Sequence, residues 1–380
     1  MLVGIVGCPN SGKSTFLKAV TLGDVEIGSY PFTTIKPNQG VGFVKTECPC
    51  KKLNIKCNPQ NSECRNGERF IPIKLLDVAG LVPGAHKGKG LGNQFLGDLI
   101  QASGLIHVLD SSGKTNTEGK TEDGYDPSKT IGVLEYEIDE WIRGISSKAF
   151  EKSKKLAETQ KIPIEKLLTK QLSGLGISEN DIKNAMKEAK PEDHEFASVL
   201  RNISKPIIIA ANKIDLTESQ SNLEKINKGA IPCSAESELA LREADNHGLI
   251  KYVPGSKIFE HVPEKLNDKQ EEALNFIKKN VLEKYGSTGI QNCINKLVFD
   301  MLDQIVVYPV ASINKLTDTK GNVLPDTHMV RNGTTLKEFA AKVHTDLADS
   351  FIGGLDIDKK KIGADYELRN GDIVEILYKK

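Results

Sequence analysis

The sequence predicts an α/β protein with a mostly parallel sheet, a helical insertion and a small mixed domain at its C-terminus. Three observations support this fold class. Short continuous apolar runs alternate with helical stretches in the first two thirds of the chain, as expected for buried parallel strands joined by crossover helices. The stretch between Leu109 and Lys205 is rich in Lys, Glu, Ser and Gln and contains no strand-like run. Beyond Ile305, strand and helix signals alternate over a short distance.

The chain length indicates more than one domain. Its 380 residues are about two and a half times the ~150 residues that serve as a prior for one domain, so two or three domains are expected. We assign the α/β domain to residues 1–265, with a Cys-rich insertion at 46–69 and a polar helical insertion at 112–204. Residues 266–303 are predicted to form a helical connector, and residues 304–380 the C-terminal domain.

Charge and hydropathy exclude several classes of partner. The 51 basic and 51 acidic residues balance, so no overall field would attract nucleic acid or an anionic membrane, and no DNA partner is expected. The longest apolar runs, such as 206–211, are far shorter than the ~20 residues of a membrane-spanning helix. The first apolar stretch, at 2–6, follows no basic residue and is therefore not a signal peptide. We expect a cytoplasmic protein with no membrane partner, whose cysteines are reduced or metal-bound.

The first elements are a strand, a loop and a helix. Residues 2–6 are a short apolar run, a loop rich in Gly, Pro, Asn and Ser follows, and residues 13–20 have a helical pattern. Residues 112–130 have the composition of a long surface loop, and the helices after them are typical of a coiled coil or a helical bundle. Further strands are predicted at 70–78, 104–109, 206–211 and 230–233, and helices of the insertion at 135–142 and 164–172.

The C-terminal third begins with helices and ends in a mixed region. Asp268 and Glu271 have the spacing of a helix capping box, and Gly286 has the position of a helix stop. A second apolar helix is predicted from Ile290 to Met301. The mixed region is predicted to contain a strand at 305–310, a helix opened by Thr335-x-x-Glu338 and a closing strand at 372–377.

Residues 7–14 read Gly-Cys-Pro-Asn-Ser-Gly-Lys-Ser and match the pattern G-x-x-x-x-G-K-[ST] between a strand and a helix. Its glycines allow backbone N–H groups to surround a polyphosphate at a helix N-terminus, where the helix dipole favours anions. Lys13 is predicted to bridge the β- and γ-phosphates, and the Ser14 hydroxyl to bind Mg²⁺. The predicted nucleotide contacts are Gly7, Pro9, Asn10, Ser11, Gly12, Lys13, Ser14 and Thr15.

Asp77 and Gly80 form a second motif, D-x-x-G, directly after an apolar strand. Asp77, at the carboxyl end of that strand, is predicted to hold the Mg²⁺ shell. Gly80 has no Cβ, so its N–H can approach a γ-phosphate. This spacing is common in turns, and it gains weight because it follows the nucleotide-binding loop and an apolar strand.

A third motif, Asn212-Lys213-Ile214-Asp215, ends another apolar strand and predicts the choice of base. The carboxylate of Asp215 can accept hydrogen bonds from the ring N–H and the exocyclic amine of guanine, a pair of donors that adenine lacks. A site built for those donors rejects a base without them. The stem of Lys213 would lie over the base, and Ser234-Ala235 would present a backbone N–H to the guanine carbonyl. GTP and GDP are therefore the expected ligands.

Together these motifs resemble the Ras-like GTPase domain. Tyr30-Pro31-Phe32-Thr33-Thr34, with Pro37-Asn38-x-Gly40, is similar to the first switch of the Obg family, and the glycine-rich stretch from Gly80 to Asn93 extends the similarity. With its polar insertion and small C-terminal domain, the whole chain is similar to the YchF-related branch of that family in its archaeal form. The C-terminal domain resembles a TGS domain, a ubiquitin-like β-grasp module.

The resemblance implies a GTP-hydrolysing switch that works with the ribosome or the translation machinery. Thr34, or Thr33 in its place, would contact Mg²⁺ and the γ-phosphate and would be released by hydrolysis. Ras-like enzymes place a water-orienting Gln after D-x-x-G, whereas this chain has Leu81, so slow intrinsic hydrolysis is expected. Bacterial YchF proteins have an altered base motif and prefer ATP, but the motif retained at 212–215 favours GTP.

Two polar residues have roles that the sequence leaves open. Asn10 matches GTPases in which this Asn helps hold an activating K⁺ ion, and alternatively it only shapes the loop. His86 lies in the predicted second switch and is a candidate general base or γ-phosphate contact. A single His in a glycine-rich loop is more often a bystander.

Four of the seven cysteines, at positions 48, 50, 57 and 64, are clustered in the sequence. Four thiolates can close a tetrahedral Zn²⁺ site. The spacing C-x-C-x₆-C-x₆-C differs from the paired C-x₂-C of zinc ribbons. The alternative is a hairpin extension with reduced, redox-sensitive thiols.

Two other functions stay open beside the GTPase switch. One is a GTP-sensing scaffold or an RNA- or protein-binding module that scarcely hydrolyses GTP, which Leu81 favours. The other is an ATPase like bacterial YchF. A contact with the ribosome or RNA rests on the resemblance, because residues 304–380 contain eleven basic and eleven acidic side chains and no overall basic surface.

Overall fold

The architecture comes from a computed structural model in which the described residues are 1–21, 38–78, 80, 83–88, 92–226, 229–262 and 266–379. The predicted switch residues Thr33, Thr34 and Leu81 lie outside these ranges. Contacts between residues divide the chain into two compact units. The first unit comprises residues 1–23, 36–42 and 74–297, and the second comprises residues 24–35, 43–73 and 298–380.

Each predicted apolar run contains a strand, and further strands that the sequence analysis did not predict lie between these runs. They are β1 (Leu2–Val6), β2 (Gln39–Glu47), β3 (Glu63–Arg65), β4 (Glu68–Asp77), β5 (Gly104–Asp110), β6 (Ile207–Asn212), β7 (Ile231–Pro232), β8 (Ile250–Tyr252), β9 (Phe259–His261), β10 (Gln304–Val310), β11 (His328–Arg331), β12 (Phe351–Leu355), β13 (Lys361–Ile362) and β14 (Ile373–Tyr378). In the first unit, β4, β1, β5, β6 and β7 lie side by side in this order and pair in parallel. Strand β5 is buried along its whole length, which is why apolar residues occupy both of its faces rather than alternating with polar ones, although His107 and the terminal Asp110 are buried with them.

Helices connect these strands and form the insertion. They are α1 (Lys13–Thr21), α2 (Pro49–Leu53), α3 (Gly92–Gln101), α4 (Ser128–Gln160), α5 (Ile164–Leu172), α6 (Glu179–Glu188), α7 (Phe196–Ser204), α8 (Ser219–Ile226), α9 (Ala235–Asn246), α10 (Asp268–Ile277), α11 (Glu283–Tyr285), α12 (Ile290–Asn295), α13 (Leu336–Val343) and α14 (Thr345–Asp349). Among the described residues, every helix is too short or too polar to cross a membrane.

The helical insertion is a bundle rather than a coiled coil. Helices α5 and α7 both pack on α4, and α6 packs on α5 and α7. The predicted apolar face of α4 is buried at Ile138 and Ile142, and that of α5 at Leu168 and Leu172. These side chains join the apolar core that also contains Leu76 of β4, so the bundle is fixed to the sheet. This packing brings α4 beside the short 3₁₀ helix Ala85–Lys87.

The capping box predicted for α10 is shifted by one residue. The N-cap is Asn267, whose side chain accepts from the N–H of Gln270, while the Gln270 side chain accepts from the N–H of Asn267. The predicted pair, Asp268 and Glu271, instead lies inside the first turn, where the helix dipole stabilises carboxylates. The prediction was wrong because Asn and Gln fill the two positions of this motif as well as Asp and Glu do. The predicted stop at Gly286 is confirmed, with φ 81°.

The second unit contains the predicted β-grasp domain. Its sheet has the order β11-β10-β14-β12-β13, with β10 and β14 parallel and the other neighbours antiparallel. Helix α13 begins with the predicted capping box of Thr335 and Glu338 and buries Leu336, Phe339 and Ala340 in the core of this domain. The fold class predicted from the sequence is thus confirmed.

The same unit includes a hairpin made by β3 and β4. Asn66 and Gly67 connect the two strands with φ angles of 51° and 79°, the left-handed pair that a tight hairpin turn requires. The five-residue helix α2 precedes the hairpin, and its last turn is closed by Asn54 in the left-handed conformation. These elements contain the clustered cysteines.

Candidate nucleotide-binding site

The predicted nucleotide-binding loop connects β1 to α1. Asn10 and Gly12 have positive φ angles of 64° and 90°, so the chain turns sharply before the helix begins. A Cβ on Gly7 would lie 2.5 Å from the carbonyl oxygen of Val108, and a Cβ on Gly12 would overlap the side-chain amide of Asn212. Both glycines are needed because neighbouring chain approaches the loop too closely for a side chain.

Asn212 links the nucleotide-binding loop to the start of α9, where the predicted base contact Ala235 lies. It is the last residue of β6 and is buried. Its Nδ2 donates to the carbonyl oxygen of Ser11 at 3.0 Å, and its Oδ1 accepts from the backbone N–H of Ala235 at 2.9 Å. The structure therefore brings together three predicted motifs that are far apart in sequence. The predicted contact between the Ala235 N–H and a guanine carbonyl would require this N–H to change its partner.

Lys213 is held between the loop and a buried carboxylate. Its Nζ donates to the carbonyl oxygen of Asn10 at 2.9 Å and to Oδ2 of Asp110 at 2.8 Å. Asp110, the last residue of β5, also accepts from the N–H of Ser112 at 3.0 Å and from the Thr115 hydroxyl. Burial opposes ionisation of Asp110, but the hydrogen bonds from Lys213, Ser112 and Thr115 hold its pKa below the ordinary value.

Asp215, the predicted base-selecting residue, is oriented by a helix cap. Ser234 is the N-cap of α9, and its hydroxyl accepts from the N–H of Ser237 at 3.2 Å. The same hydroxyl donates to Oδ1 of Asp215 at 2.7 Å. Ser234 thus fixes both the start of α9 and the direction of the Asp215 carboxylate.

Lys13 and Asp77 contact each other directly. The ammonium of Lys13 donates to Oδ1 of Asp77 at 2.5 Å and to the carbonyl oxygen of Val78 at 2.7 Å. The sequence predicts that Lys13 binds phosphate and that Asp77 holds Mg²⁺. Each group is the other's partner in this structure, so both must exchange partners to take these roles.

The residues predicted to bind Mg²⁺ have the chemistry that this ion requires. Asp77 ends β4, and Ser14 lies exposed in the first turn of α1. Carboxylate and hydroxyl oxygens are the hard ligands that Mg²⁺ prefers. Gly80 lies against the loop, since a Cβ added to it would be 3.9 Å from the carbonyl oxygen of Gly7. The D-x-x-G motif and the nucleotide-binding loop therefore meet at one edge of the sheet.

His86 is tied to the helical insertion. Its Nδ1 lies 2.6 Å from Oε2 of Glu137 on α4, and its backbone N–H donates to the same oxygen at 2.9 Å. The N–H of Gly84 donates to Oε1 of Glu137 at 2.7 Å. The Glu137 side chain is only 4% exposed. Burial opposes ionisation of Glu137, but these N–H donors and His86 hold its pKa below the ordinary value.

The predicted surface loop after β5 packs on the nucleotide-binding loop. Thr115 and Thr121 pair across it as an antiparallel bridge. Gly119, near its tip, accepts from Nδ2 of Asn10 at 3.0 Å, and a Cβ on Gly119 would lie 2.6 Å from the Cβ of Pro9. The side chain of Asn10 therefore makes a contact that shapes this part of the loop.

Three segments of the chain match described families. Residues 2–146 match the family described as 50S ribosome-binding GTPase. Residues 210–312 match the G4 motif-containing domain of YGR210-like Obg-like GTPases, and residues 317–378 match the TGS domain.

Two curated relatives extend this match over nearly the whole chain. A GTP-binding protein of Methanocaldococcus jannaschii is 48% identical over 99% of this chain and 98% of the relative. A GTP-binding protein of Schizosaccharomyces pombe is 36% identical over 93% of this chain and 92% of the relative. This chain belongs to the Obg/YchF-like GTPase family. The family predicted from the motifs is thereby confirmed.

Solved structures agree with this assignment. The GTP-binding protein from Pyrococcus horikoshii OT3 matches with a TM-score of 0.79 and 40% identity over 100% of both chains. The YchF GTPase of Schizosaccharomyces pombe matches with a TM-score of 0.57 and 19% identity over 99% of this chain and 97% of that chain, a likeness of fold.

Three residues of this Obg/YchF-like site were missed by sequence reasoning: Asp110, Gly119 and Glu137. Asp110 could have been found, because it ends an apolar strand as Asp77 does. Gly119 and Glu137 gave no signal of their own. Gly119 is one of several glycines in a polar loop, and Glu137 is one of many carboxylates on α4, distinguished only by its burial.

The four clustered cysteines come together in the second unit of this GTPase. Their sulfur atoms all lie within 4.8 Å of one another. None of the seven cysteines, all of which lie among the described residues, forms a disulfide bond. Burial opposes ionisation of Cys48, but the backbone N–H of Cys50 and the nearby charge of Arg69 lower the pKa of its thiol.

Proposed function

We propose that this Obg/YchF-like protein is a Mg²⁺-dependent, GTP-hydrolysing molecular switch that acts with the ribosome. The observation that carries the proposal is the meeting of the loop at 7–14, the D-x-x-G motif and the N-K-x-D motif at one edge of a parallel sheet, with Asn212 bonded to two of the elements involved. This arrangement provides a phosphate site and a base site within one connected set of residues.

In this proposal, each motif has a separate task. Lys13 and the N–H groups of the loop bind the phosphates, and Gly80 approaches the γ-phosphate. Ser14, Thr34 and Asp77 hold Mg²⁺, which supplies charge neutralisation when it is bound. His86 is a candidate contact to the γ-phosphate or the attacking water through Nε2, because its Nδ1 is bound to Glu137. Lys213 and Asp215 recognise the base.

The proposed base is guanine rather than adenine. The Ser234 hydroxyl holds the Asp215 carboxylate by a hydrogen bond, and a carboxylate has the two acceptor oxygens that the two guanine donors require. A relative from Buchnera aphidicola described as a ribosome-binding ATPase is 28% identical over 99% of this chain and 98% of the relative, so ATP is the competing ligand. The retained N-K-x-D motif favours GTP.

Asp215→Asn tests this choice of base. The substitution replaces an acceptor by a donor toward the guanine amine, so GTP affinity should fall by about 100-fold or more and preference should move to xanthosine triphosphate. Titration calorimetry with GTP, ATP and xanthosine triphosphate measures the change. Glu218→Gln, which removes an exposed carboxylate from the same region, is the matched control and should leave the preference unaltered. An unchanged nucleotide preference in Asp215→Asn would remove this residue from the base site.

Hydrolysis is expected to be slow without a partner. Leu81 replaces the water-orienting Gln, so the rate alone should be on the order of 10⁻⁴ to 10⁻² s⁻¹. The ribosome is proposed as the partner because the family matched at 2–146 is described as 50S ribosome-binding GTPase. A cytoplasmic location follows from that partner and remains a prediction.

Single-turnover hydrolysis of GTP by the full chain, with and without ribosomes, tests the switch. We expect a slow basal rate that ribosomes increase, and no turnover by Lys13→Ala. If the rate never exceeds that of Lys13→Ala, the second candidate, a GTP-sensing scaffold, replaces the switch. Leu81 and the binding of His86 to Glu137 favour this second candidate. If ATP competes equally with GTP, the proposal of a GTPase fails in favour of an ATPase.

A further inference from the structure

Four cysteines from separate pieces of chain share a common centre in the second unit. Cys48 is the N-cap of α2, Cys50 lies in α2, Cys57 lies in the following loop and Cys64 lies in β3. The sulfur atoms of Cys48 and Cys57 are 4.0 Å apart, and those of Cys50 and Cys64 are 3.8 Å apart. These distances are far longer than the ~2.05 Å of a disulfide bond, so the four groups are available as separate ligands.

The spacing of the sulfur atoms fits one tetrahedral ion. A Zn–S bond of about 2.3 Å implies an edge of about 3.8 Å between sulfurs, which agrees with the measured pairs. In an iron–sulfur cluster the four thiolates bind different irons, so as a set they are spread more widely. We propose that Cys48, Cys50, Cys57 and Cys64 hold one structural Zn²⁺ ion. Four protein ligands leave no open position, so the ion has a structural and not a catalytic role.

A buried arginine beside this centre is an independent observation in its favour. Arg69 is 0% exposed and donates through its two Nη atoms to the Ser62 hydroxyl and the Leu324 carbonyl oxygen, each at 3.0 Å. Among the described residues its Nε has no hydrogen-bond partner and no carboxylate lies within ion-pair distance of it, although Asp326 interacts with its charge from farther away. A buried cation without an anion is costly. Four thiolates and one Zn²⁺ carry two net negative charges, which would provide the missing counter-charge.

The ion would fix the loop between α2 and β3, which is hydrogen-bonded to the β-grasp domain. Helix α2 has five residues and is too short to be stable alone, so cross-linking it to the loop and to β3 would hold all three in place. Between Cys57 and Cys64 the loop is bonded to the edge of the β-grasp domain. The contacts are Asn58 N–H to Val323 O (2.8 Å), Gln60 N–H to Pro325 O (2.6 Å), Asn61 Nδ2 to Thr327 O (2.9 Å) and Thr327 N–H to Asn61 Oδ1 (2.9 Å).

Elemental analysis of the full chain, purified under reducing conditions, tests the proposal directly. We expect about one zinc per chain and little iron. Replacement by Co²⁺ should give the intense visible bands of a tetrahedral thiolate site. Removal of the metal with a strong chelator should lower the Tm of the second unit by about 10 °C, and added Zn²⁺ should restore it.

Single substitutions locate the site. Cys64→Ser should lose the zinc and become sensitive to proteolysis in the loop at 57–64, with helix content unchanged by circular dichroism. Cys293→Ala, which removes a buried cysteine outside the cluster, is the matched control and should keep about one zinc per chain. Arg69→Met should keep the ligands but release zinc to a chelator about tenfold faster, because the counter-charge is lost.

The proposal has clear contrary outcomes, and none depends on GTP binding. Less than stoichiometric zinc after expression with added zinc, together with no change of Tm on adding Zn²⁺, would overturn it. Stoichiometric iron with no zinc would show that the four cysteines bind iron, and the proposal of a zinc site would be wrong. Zinc retained in full by Cys64→Ser would place the metal elsewhere in the chain.

Discussion

The base side and the phosphate side of this GTPase site are organised in different ways. On the base side, Asn212 and Lys213 donate hydrogen bonds to the backbone of the nucleotide-binding loop. Lys213 also donates to the carboxylate of Asp110. On the phosphate side, Lys13 is bonded to Asp77, so two groups predicted to bind ligand satisfy each other. On the first side only the N–H of Ala235, which is bonded to Asn212, must change its partner to receive a base, whereas on the second both predicted ligand-binding groups must do so.

This difference separates affinity from catalysis. Groups that are already in place lose little conformational entropy on binding, so substitutions on the base side should act mainly on the dissociation constant. Groups that change partners can respond to the nucleotide, so substitutions around the second switch should act mainly on the rate of hydrolysis. Three substitutions, of decreasing expected effect, test this separation.

Asp110→Ala should have the largest effect. It removes an acceptor from Lys213, from the N–H and hydroxyl of Ser112 and from the hydroxyl of Thr115, so the free energy of unfolding should fall by about 3 kcal/mol and GTP affinity by about tenfold. Urea unfolding and titration calorimetry measure the two quantities. Asp126→Ala is the matched control, because Asp126 accepts from Ser128 as Asp110 does from Ser112, but among the described residues no lysine donates a hydrogen bond to it. Equal GTP affinity in both variants would show that Lys213 is positioned by the Asn10 carbonyl alone.

Much of the base side could be predicted from the sequence because its residues end strands. In a parallel sheet the carboxyl ends of the strands meet at one edge, so Asn212 could be placed near the loop from the pattern alone, and on the phosphate side the same holds for Asp77. The same reasoning covers Asp110. The fold followed from the same apolar runs, which are short, continuous and separated by helices.

The contacts of the phosphate side were harder to predict from the sequence, because they come from distant, irregular segments. Glu137 lies on a long helix whose register against residues 84–86 depends on the packing of the whole bundle. Gly119 lies against Pro9 because of the conformation of the loop after β5, which no sequence signal specifies. For the cysteines, spacing alone left zinc and free thiols open, since it does not determine how four side chains converge.

Glu137→Gln should have an intermediate effect, and on the rate rather than on affinity. The loss of a charged acceptor for Gly84 and His86 should reduce the free energy of unfolding by about 1–2 kcal/mol and slow hydrolysis several-fold, with GTP affinity unchanged. Glu140→Gln on the same helix is the control and should leave the rate unchanged. A weaker GTP affinity in Glu137→Gln, at an unchanged rate, would contradict the separation of the two sides.

The pH dependence of stability gives a second test of Glu137. Its pKa is lowered in the folded protein, so its contribution is complete above the ordinary Glu pKa of about 4.3 and is lost as the pH falls through the lowered value. The difference in unfolding free energy between the unsubstituted protein and Glu137→Gln should therefore be constant near neutral pH and shrink below about pH 4. A difference that grows on acidification would mean that Glu137 is protonated in the folded state.

Asn10→Asp should have the smallest effect, and it separates two roles of one side chain. Asn10 donates to Gly119 through Nδ2, whereas a K⁺ ion would bind Oδ1. Asp keeps an oxygen at this position and tolerates the positive φ, but loses the donor, so stability should fall by about 0.5 kcal/mol. If Asn10 binds K⁺, hydrolysis should be faster in K⁺ than in Na⁺, and Asn10→Asp should retain that difference while Asn10→Ala loses it. If both variants lose it, the ion requires the contact between Asn10 and Gly119. If neither loses it, the ion does not contact Asn10.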